Sequence, residues 1–252
     1  MQENHTRQRK EASDQDGYRV VRGLLSPEEV EALNDYLDRY IAEDLPRLPS
    51  DAAFYEVKGQ PETLMRLQKL HEYDGPCKEL LVSERFVRLA EELLGDGAVP
   101  VDALLFNKPA RVGKLTPPHQ DGFYFMLEPN EALTLWLALD PVDEVNGCLR
   151  YVRGSHRRGM RPHQRSNVLG FSQGITDFGG ADHGAEVAIC AEPGDAVVHH
   201  SMTIHRADPN PSERTRRALG FVYYARRARQ DVERLKAYQK NLMEQWSAEG
   251  KV

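Results

Sequence analysis

The chain has 252 residues and a formal net charge of −6, with 40% hydrophobic and 29% charged residues. This is the composition of a soluble globular protein that is large enough to bury a core without disulfide bonds. An acidic balance argues against nonspecific nucleic-acid binding, which depends on a basic surface. The longest apolar run, 132–139, is interrupted only by Thr134 and is far shorter than the about 20 residues that a membrane helix needs. We therefore expect neither a nucleic-acid nor a membrane partner.

Cysteine content and the N-terminal residues bear on location and domain organisation. Three cysteines, at 77, 148 and 190, cannot all pair, and no two form a C-x-x-C motif. This pattern favours a reducing, cytoplasmic location and disfavours a disulfide scaffold or a zinc ribbon. The first ten residues lack the apolar stretch of a signal peptide. We expect a disordered or frayed segment at 1–16 and a single domain over 17–252.

Helix signals are strongest near the N-terminus. A short strand is predicted over 17–25, and a helix follows from Ser26, because Pro27 suits the first helical position and Glu29 completes a capping box. Apolar residues then follow at helical spacing, at 30, 33, 37 and 41. A second helix is predicted over 83–94, ending at Gly95, and a C-terminal helix over 228–246, with Trp246 on its apolar side. Residues 46–62 carry prolines without a clear period and predict a loop.

Short β-like runs separated by turn residues begin after residue 100. Such spacing predicts a sandwich or barrel rather than alternating βαβ units. The segment 157–184 shows no period and predicts a long irregular insert, of the kind that is often functional. The predicted strands cover 103–107, 133–139, 149–152, 186–190, 196–200 and 219–224.

A histidine and a carboxylate stand two residues apart, at His119 and Asp121. Residues i and i+2 of an extended segment point to the same side, so this spacing predicts that both side chains reach one point. Two histidines and one carboxylate on one face of an iron ion leave adjacent positions open for chemistry. His199, His200 and His205 compete for the third position. The motif is short, and a hydrogen-bonded strand histidine is the alternative interpretation.

Arg216 lies eleven residues after His205. A guanidinium binds a carboxylate through two parallel hydrogen bonds, so Arg216 could hold the far carboxylate of a dicarboxylate whose other end binds a metal. Arg217 is the alternative, because strand parity supports Arg216 only where no bulge intervenes. On a strand, Arg216 shares a face with the smaller side chains, which leaves room for a ligand: Ala218, Gly220 and Val222.

Six motifs follow one another along the chain: His119-Gln120-Asp121, Asn146-Gly147-Cys148-Leu149, Gly154-Ser155-His156, Pro193-Gly194-Asp195, His205 and Arg216. The Asn146-Gly147 pair also predicts a tight turn whatever the function. The six motifs occur in the order seen in the phytanoyl-CoA dioxygenase family, which the chain resembles over roughly residues 14–226. The resemblance implies a mainly β fold with flanking helices, a double-stranded β-helix of the jelly-roll, cupin-like kind.

The resemblance also implies a cofactor and residue roles. Members of the family use iron(II), 2-oxoglutarate and O2, and release succinate and CO2 while they oxidise a substrate, commonly by hydroxylating a C–H bond. The matching positions make His119, Asp121 and His205 the iron ligands and Arg216 the 2-oxoglutarate anchor. The implied neighbours of the cosubstrate are Asn107 or Lys108, Thr134 and Trp136.

Two positions bear on the reaction: one departs from the family pattern, and the other keeps it. Many members carry a serine two residues after the distal histidine, and here that residue is Ala207. Related halogenases replace the metal carboxylate by a small residue, whereas this chain keeps Asp121. The resemblance therefore favours oxidation over halogenation. Two alternatives stay open: a jelly-roll protein that binds a ligand without turnover, and a cupin-type metal dioxygenase that does not use 2-oxoglutarate.

Two groups of residues are predicted to meet a small-molecule substrate. The aromatic residues that follow the H-x-D motif, at Phe123, Tyr124 and Phe125, are expected to wall the pocket or to pack in the core. Between 150 and 165 the chain has six arginines and no acidic residue. A cationic rim there would attract an anionic substrate, with contacts from Arg157, Arg158 and Arg161. A solvated basic loop is the alternative.

Overall fold

The computed structural model describes residues 13–49, 52–57, 59–73, 75–168 and 171–248. The α-helices are α1 (Pro27–Arg39), α2 (Leu70–Tyr73), α3 (Gly75–Leu81), α4 (Glu84–Leu94), α5 (Gly122–Phe125), α6 (Gly180–Gly184) and α7 (Val232–Ala248). The strands are β1 (Tyr18–Val21), β2 (Ala53–Tyr55), β3 (Leu64–Leu67), β4 (Ala98–Lys108), β5 (Thr116–His119), β6 (Leu127–Glu128), β7 (Ala132–Ala138), β8 (Leu149–Val152), β9 (His163–Val168), β10 (Phe171–Ile175), β11 (Glu186–Ile189), β12 (Ala196–His200), β13 (His205–Ala207), β14 (Arg216–Ala225) and β15 (Arg229–Gln230).

The strands form two main antiparallel sheets. The larger has seven strands in the order β1-β12-β7-β14-β4-β3-β2, and the smaller has four in the order β11-β8-β13-β5. Apolar side chains from both sheets share one buried cluster, which includes Trp136 and Ala218 from the larger sheet and Tyr151 and Ala207 from the smaller. The sheets therefore face each other across this core, as in the predicted double-stranded β-helix. Two-stranded ribbons, β9–β10 and β6–β15, complete the β structure of the described residues.

Helices α1 and α4 form where the sequence predicts them, and their apolar side chains share one buried cluster with strands of the larger sheet. The capping box is present, because Ser26 Oγ accepts from the Glu29 amide at 3.3 Å and the Glu29 carboxylate accepts from the Ser26 amide at 2.7 Å. Helix α4 ends at Gly95, whose φ of 63° is the left-handed conformation that glycine adopts readily. Phe86 of α4 meets Phe221 of β14 edge-on, with ring centroids 5.2 Å apart.

The long apolar strands agree with the sequence and the short polar ones do not. Strands β8 and β12 have the predicted bounds, and β4, β7, β11 and β14 differ only at their ends. The strand predicted over 17–25 stops at Val21, because the chain turns at Gly23, where φ is 58°. The loop predicted over 46–62 is wrong in part, since it contains β2, a three-residue edge strand too short to show a period.

Three further predictions need correction or fall outside the structure. The segment 157–184 contains the β9–β10 ribbon and α6; the polar sequence of β9 hides the alternation that marks a half-buried strand. Helix α7 begins at Val232, and the Trp246 side chain lies outside the described part. Residues 1–12 also lie outside it, but 13–16 form a helical turn, with the Asp16 carbonyl accepting from the Gly154 amide at 2.9 Å.

No helix in the described part of the chain is long and apolar enough to cross a membrane.

Candidate active site

His119 and His205 face each other across two neighbouring strands of the smaller sheet. They are direct partners in the β5–β13 register, and their ring centroids are 4.2 Å apart. Each Nδ1 meets a backbone carbonyl, of Pro117 at 2.8 Å for His119 and of Thr203 at 3.0 Å for His205. Because a carbonyl can only accept, each Nδ1 carries a proton, and Nε2 is the ring nitrogen that each histidine turns toward Asp121.

Asp121 reaches the same point by a route that the sequence argument does not describe. Strand β5 ends at His119, and Asp121 already has helical backbone angles, with φ −56° and ψ −33°. The chain turns at Gln120, whose buried amide donates to the Met202 carbonyl at 2.7 Å. The strand-parity argument for the pair is therefore wrong, although the two side chains converge as predicted.

The three side chains form a compact donor set. Asp121 Oδ1 lies 3.5 Å from His119 Nε2 and 3.8 Å from His205 Nε2. One ligand atom from each of the three residues lies within 4.8 Å of the other two. Two imidazole nitrogens and one carboxylate oxygen are the donors that suit a non-haem iron(II) ion. The side chains present here thus fit the metal that the family resemblance implies.

Burial and charge set the protonation of this donor set. Burial alone would raise the pKa of the Asp121 carboxyl, but the histidines, His205 foremost, hold that pKa well below its usual range. Burial lowers the pKa of His205 well below its usual value. The site therefore offers an ionised carboxylate, the form in which an aspartate binds a metal.

The second carboxylate oxygen of Asp121 is held by protein groups. Thr134 Oγ1 donates to Asp121 Oδ2 at 2.7 Å, and His199 Nε2 lies 3.1 Å from the same oxygen. The hydroxyl of Tyr151 lies 3.0 Å from His199 Nδ1. His199 therefore stands behind Asp121, outside the group of ligand atoms. The sequence argument places Thr134 beside the cosubstrate and does not find Tyr151 at all.

His200, the other rival for the third ligand position, points away from the site. Its Nδ1 accepts from the Met202 amide at 3.1 Å, and its ring lies 5.7 Å from that of His156. Alternation along β12 sends His199 and His200 to opposite faces of the sheet.

Arg216 is 3% exposed and lines the same cavity as the three donors. Its Cζ lies 5.2 Å from the centre of the Trp136 ring. Among the described residues, Nε and Nη1 of Arg216 have no hydrogen-bond partner. Burial lowers the pKa of Arg216 to about 10, so it remains a cation near neutral pH. A buried cation with unmet donors calls for an anionic ligand, because leaving such donors unpaired is costly.

Arg216 and Arg217 point to opposite faces of strand β14. Lys108 lies opposite it in the β4–β14 register, and burial followed by the charge of Arg216 lowers the pKa of Lys108 to about 7. Arg217 points to the outer face, where it forms ion pairs with Asp140 at 3.1 Å and Asp38 at 2.7 Å. The structure therefore places Arg216, and not Arg217, in the cavity.

The cavity has a volume of about 400 Å³ and runs from Arg216 past the three donors. Asn107 lines it; its Nδ2 donates to the Leu64 carbonyl at 2.6 Å, and its Oδ1 has no hydrogen-bond partner among the described residues. Ala207 packs in the apolar cluster between the sheets. Sequence reasoning did not single out other polar residues of the cavity, because each is an isolated polar residue outside any motif: Arg66, His71, Asp102, Tyr224 and Gln230.

Only part of the predicted substrate-contacting set lines the cavity. Tyr124 and Phe125 do, whereas Phe123 stacks on His163 with ring centroids 4.5 Å apart. The three arginines proposed for a cationic rim do not line it. Arg161 is held by Asp177 at 2.9 Å and by Asp182 at 3.3 Å, and Arg157 donates to the Gln15 carbonyl. These acidic partners lie outside the stretch from 150 to 165, so the run of arginines overstates the positive charge. Arg158 is exposed.

The chain is similar to proteins of known family and structure. A family model described as phytanoyl-CoA dioxygenase matches residues 13–218. Peroxisomal phytanoyl-CoA dioxygenase of Mus musculus is 26% identical over 220 residues, which cover 82% of this chain and 64% of that protein. The chain thus spans less than two thirds of the length of that relative.

Solved structures support the fold. EvdO2 from Micromonospora carbonacea var. aurantiaca, crystallised with 2-oxoglutarate, is 27% identical with a TM-score of 0.71, and the match covers 88% of this chain and 91% of EvdO2. The epimerase SnoN, crystallised with Fe3+, alpha ketoglutarate and nogalamycin RO, is 22% identical with a TM-score of 0.72, covering 90% and 86%. With the family match over most of its length, the chain belongs to the phytanoyl-CoA dioxygenase family.

Proposed function

We propose that the chain is an iron(II)- and 2-oxoglutarate-dependent dioxygenase that oxidises a small molecule. The observation that carries the proposal is the joint presence, in one cavity, of a His119–Asp121–His205 donor set and a buried Arg216 with unmet hydrogen-bond donors. A metal alone would leave the guanidinium without a partner. A dicarboxylate that reaches both groups accounts for the two features together.

Each group has a defined task in this proposal. His119, Asp121 and His205 hold the iron, and Arg216 binds the far carboxylate of 2-oxoglutarate, with Trp136 against its guanidinium. Lys108 lies opposite Arg216 in the β4–β14 register, and Asn107 also lines the cavity, so both can add polar contacts. Bound iron supplies the chemistry that couples decarboxylation of 2-oxoglutarate by O2 to oxidation of a C–H bond. The chain orients both ligands and excludes water from them.

The substrate side of the cavity is mixed in character. Tyr124, Phe125 and Tyr224 provide aromatic surface, and Arg66 and Asp102 bring opposite charges. A volume of about 400 Å³ suits a small organic molecule. Hydroxylation is the reaction that we favour, since Asp121 supplies the carboxylate that related halogenases lack.

The direct test is formation of succinate from 2-oxoglutarate by the purified protein with iron(II), ascorbate and O2. Enzymes of this kind turn over slowly without their substrate, so no substrate needs to be known. We expect succinate from the wild-type chain and from Arg217→Ala, and none from Asp121→Ala. A metal-loaded, folded protein that leaves 2-oxoglutarate intact, even with a broad panel of small molecules, would favour the two alternatives that do not use 2-oxoglutarate.

A further inference from the structure

Two buried side chains behind Asp121, His199 and Tyr151, form a series of hydrogen bonds that ends at the Asp121 carboxylate. A carboxylate oxygen can only accept, so in the 3.1 Å contact His199 Nε2 donates to Asp121 Oδ2. A neutral imidazole with its proton on Nε2 accepts at Nδ1. Beside a neutral His199 ring, the Tyr151 hydroxyl, 3.0 Å from Nδ1, is therefore the donor.

Packing and sheet register fix the positions of Tyr151 and His199. Tyr151 is 0% exposed, and its ring stacks on that of Tyr18 with centroids 4.7 Å apart. In the sheet register Tyr151 lies opposite His205, and His199 lies opposite Thr134. The same two strand pairings that place the donor His205 and the hydroxyl of Thr134 therefore place the hydrogen-bond chain.

The two oxygens of Asp121 meet different surroundings. Oδ1 faces His119 Nε2 and His205 Nε2, whereas Oδ2 accepts from Thr134 and His199. The hydroxyl of Thr134 can rotate about its Cβ–Oγ1 bond, but the imidazole of His199 is fixed by Tyr151. Of the two donors, His199 therefore defines the rotation of the carboxylate more firmly.

We propose that His199 and Tyr151 are positioning residues that reserve Oδ2 of Asp121 for the protein and leave Oδ1 as its single metal donor. The proposal rests on the proposed function, because it assigns Asp121 as a ligand. Tyr151 acts through His199 by fixing which ring nitrogen carries the proton. His199 acts through Asp121 and does not touch the metal.

Cobalt(II) titration of the metal-free protein tests this without turnover, since cobalt(II) has visible absorption that responds to its ligands. Losing an outer partner of a metal ligand typically weakens metal affinity by about 10–100-fold, and we expect that loss for His199→Leu, with a changed spectrum. Tyr151→Phe should lose less. His199→Gln keeps an N–H for Oδ2 and should recover most of the affinity and the wild-type spectrum. His200→Gln, next along β12 on the other face, is the matched control and should behave as wild type.

The double variant Tyr151→Phe/His199→Leu shows whether Tyr151 acts through His199 or has an independent effect on metal binding. If Tyr151 acts only through His199, the double variant binds cobalt(II) as His199→Leu does. Three results would each overturn the proposal. The losses of cobalt(II) affinity in the two single variants could multiply in the double variant, or His199→Leu could keep the wild-type affinity and spectrum. The third is a His199→Gln variant that binds cobalt(II) as weakly as His199→Leu. Thermal unfolding without metal checks each fold, and the Tyr151→Phe and His199→Gln variants carry the test if His199→Leu is unfolded.

These outcomes are distinct from failure of the proposed function. If the wild-type chain binds cobalt(II) but never consumes 2-oxoglutarate, the dioxygenase proposal fails while the cobalt(II) comparison still decides the roles of His199 and Tyr151. If the wild-type chain consumes 2-oxoglutarate and the variants bind cobalt(II) like wild type, only the positioning roles fail.

Discussion

At the scale of single residues, the histidines near the site differ in where their ring nitrogens point. His119 and His205 direct Nε2 at Asp121, whereas His200 is turned to the other face of β12. We predict that His119→Ala, Asp121→Ala and His205→Ala each abolish succinate formation while thermal unfolding of the metal-free protein stays cooperative. His200→Ala should retain most activity. An inactive His200→Ala beside an active His205→Ala would show that the ligand assignment is wrong.

Arg216 and Arg217 offer a matched pair of adjacent residues. Hydrogen bonds to a charged partner are worth about 1.5–3 kcal/mol each, so Arg216→Ala should raise the 2-oxoglutarate concentration for half-maximal turnover by at least about tenfold. Arg217→Ala removes surface ion pairs with Asp140 and Asp38 and should leave that concentration nearly unchanged. Steady-state kinetics in 2-oxoglutarate measures both, and equal values for the two variants would contradict the assignment of faces.

Lys108 predicts how cosubstrate binding depends on pH. Its pKa is about 7 in the free protein, and a dianion bound beside it favours the charged form. Binding therefore takes up a proton above that pH, and the affinity for 2-oxoglutarate should fall as pH rises, by at most about tenfold per pH unit. Below pH 7 the lysine is already protonated and the profile should level off.

Calorimetric titration of 2-oxoglutarate at several pH values checks this prediction. Lys108→Met removes the titrating group at similar length, so the steep part of the profile should disappear. Wild-type and Lys108→Met profiles that coincide would mean that Lys108 does not sense the cosubstrate.

At the scale of elements, the sequence predicts strands with a regular apolar pattern but misses short polar strands and irregular turns. Strands such as β7, which has seven consecutive buried residues, are recognisable in the sequence as apolar runs. Strand β2 and the polar ribbon β9–β10 have no such signature. Asp121 is the instructive case: its spacing from His119 identifies the site, yet a turn anchored by Gln120, which no local pattern reveals, brings it there.

Tyr238 links helix α7 to the β9–β10 ribbon. Tyr238 of α7 and Ser172 of β10 have hydroxyl oxygens 2.6 Å apart, and Leu235 of α7 lines the cavity. We predict that Tyr238→Phe raises amide hydrogen exchange in α7 and β10 but leaves 2-oxoglutarate turnover within about twofold, because Arg216 lies elsewhere in the cavity. Unchanged exchange in both elements would show that this bond does not hold them together.

At the scale of the whole molecule, the order of motifs along the chain predicts the fold better than any single motif does. His119 lies far from His205 and Arg216 in sequence, and the pairing of β5 with β13 and the facing of the two sheets bring all three to one cavity. Charge is less predictable from sequence, since the arginines between 150 and 165 find acidic partners from other segments, such as Asp208 for Arg150.

The central claim is that one cavity holds a metal and 2-oxoglutarate together. Anaerobic calorimetric titration of 2-oxoglutarate into the iron(II)-loaded and the metal-free wild-type chain tests it most directly. The account predicts binding of one 2-oxoglutarate per chain to the iron-loaded protein and much weaker binding to the metal-free protein, because Arg216 then holds only one end of the ligand. Equal affinity with and without iron, or no binding to the iron-loaded protein, would contradict it.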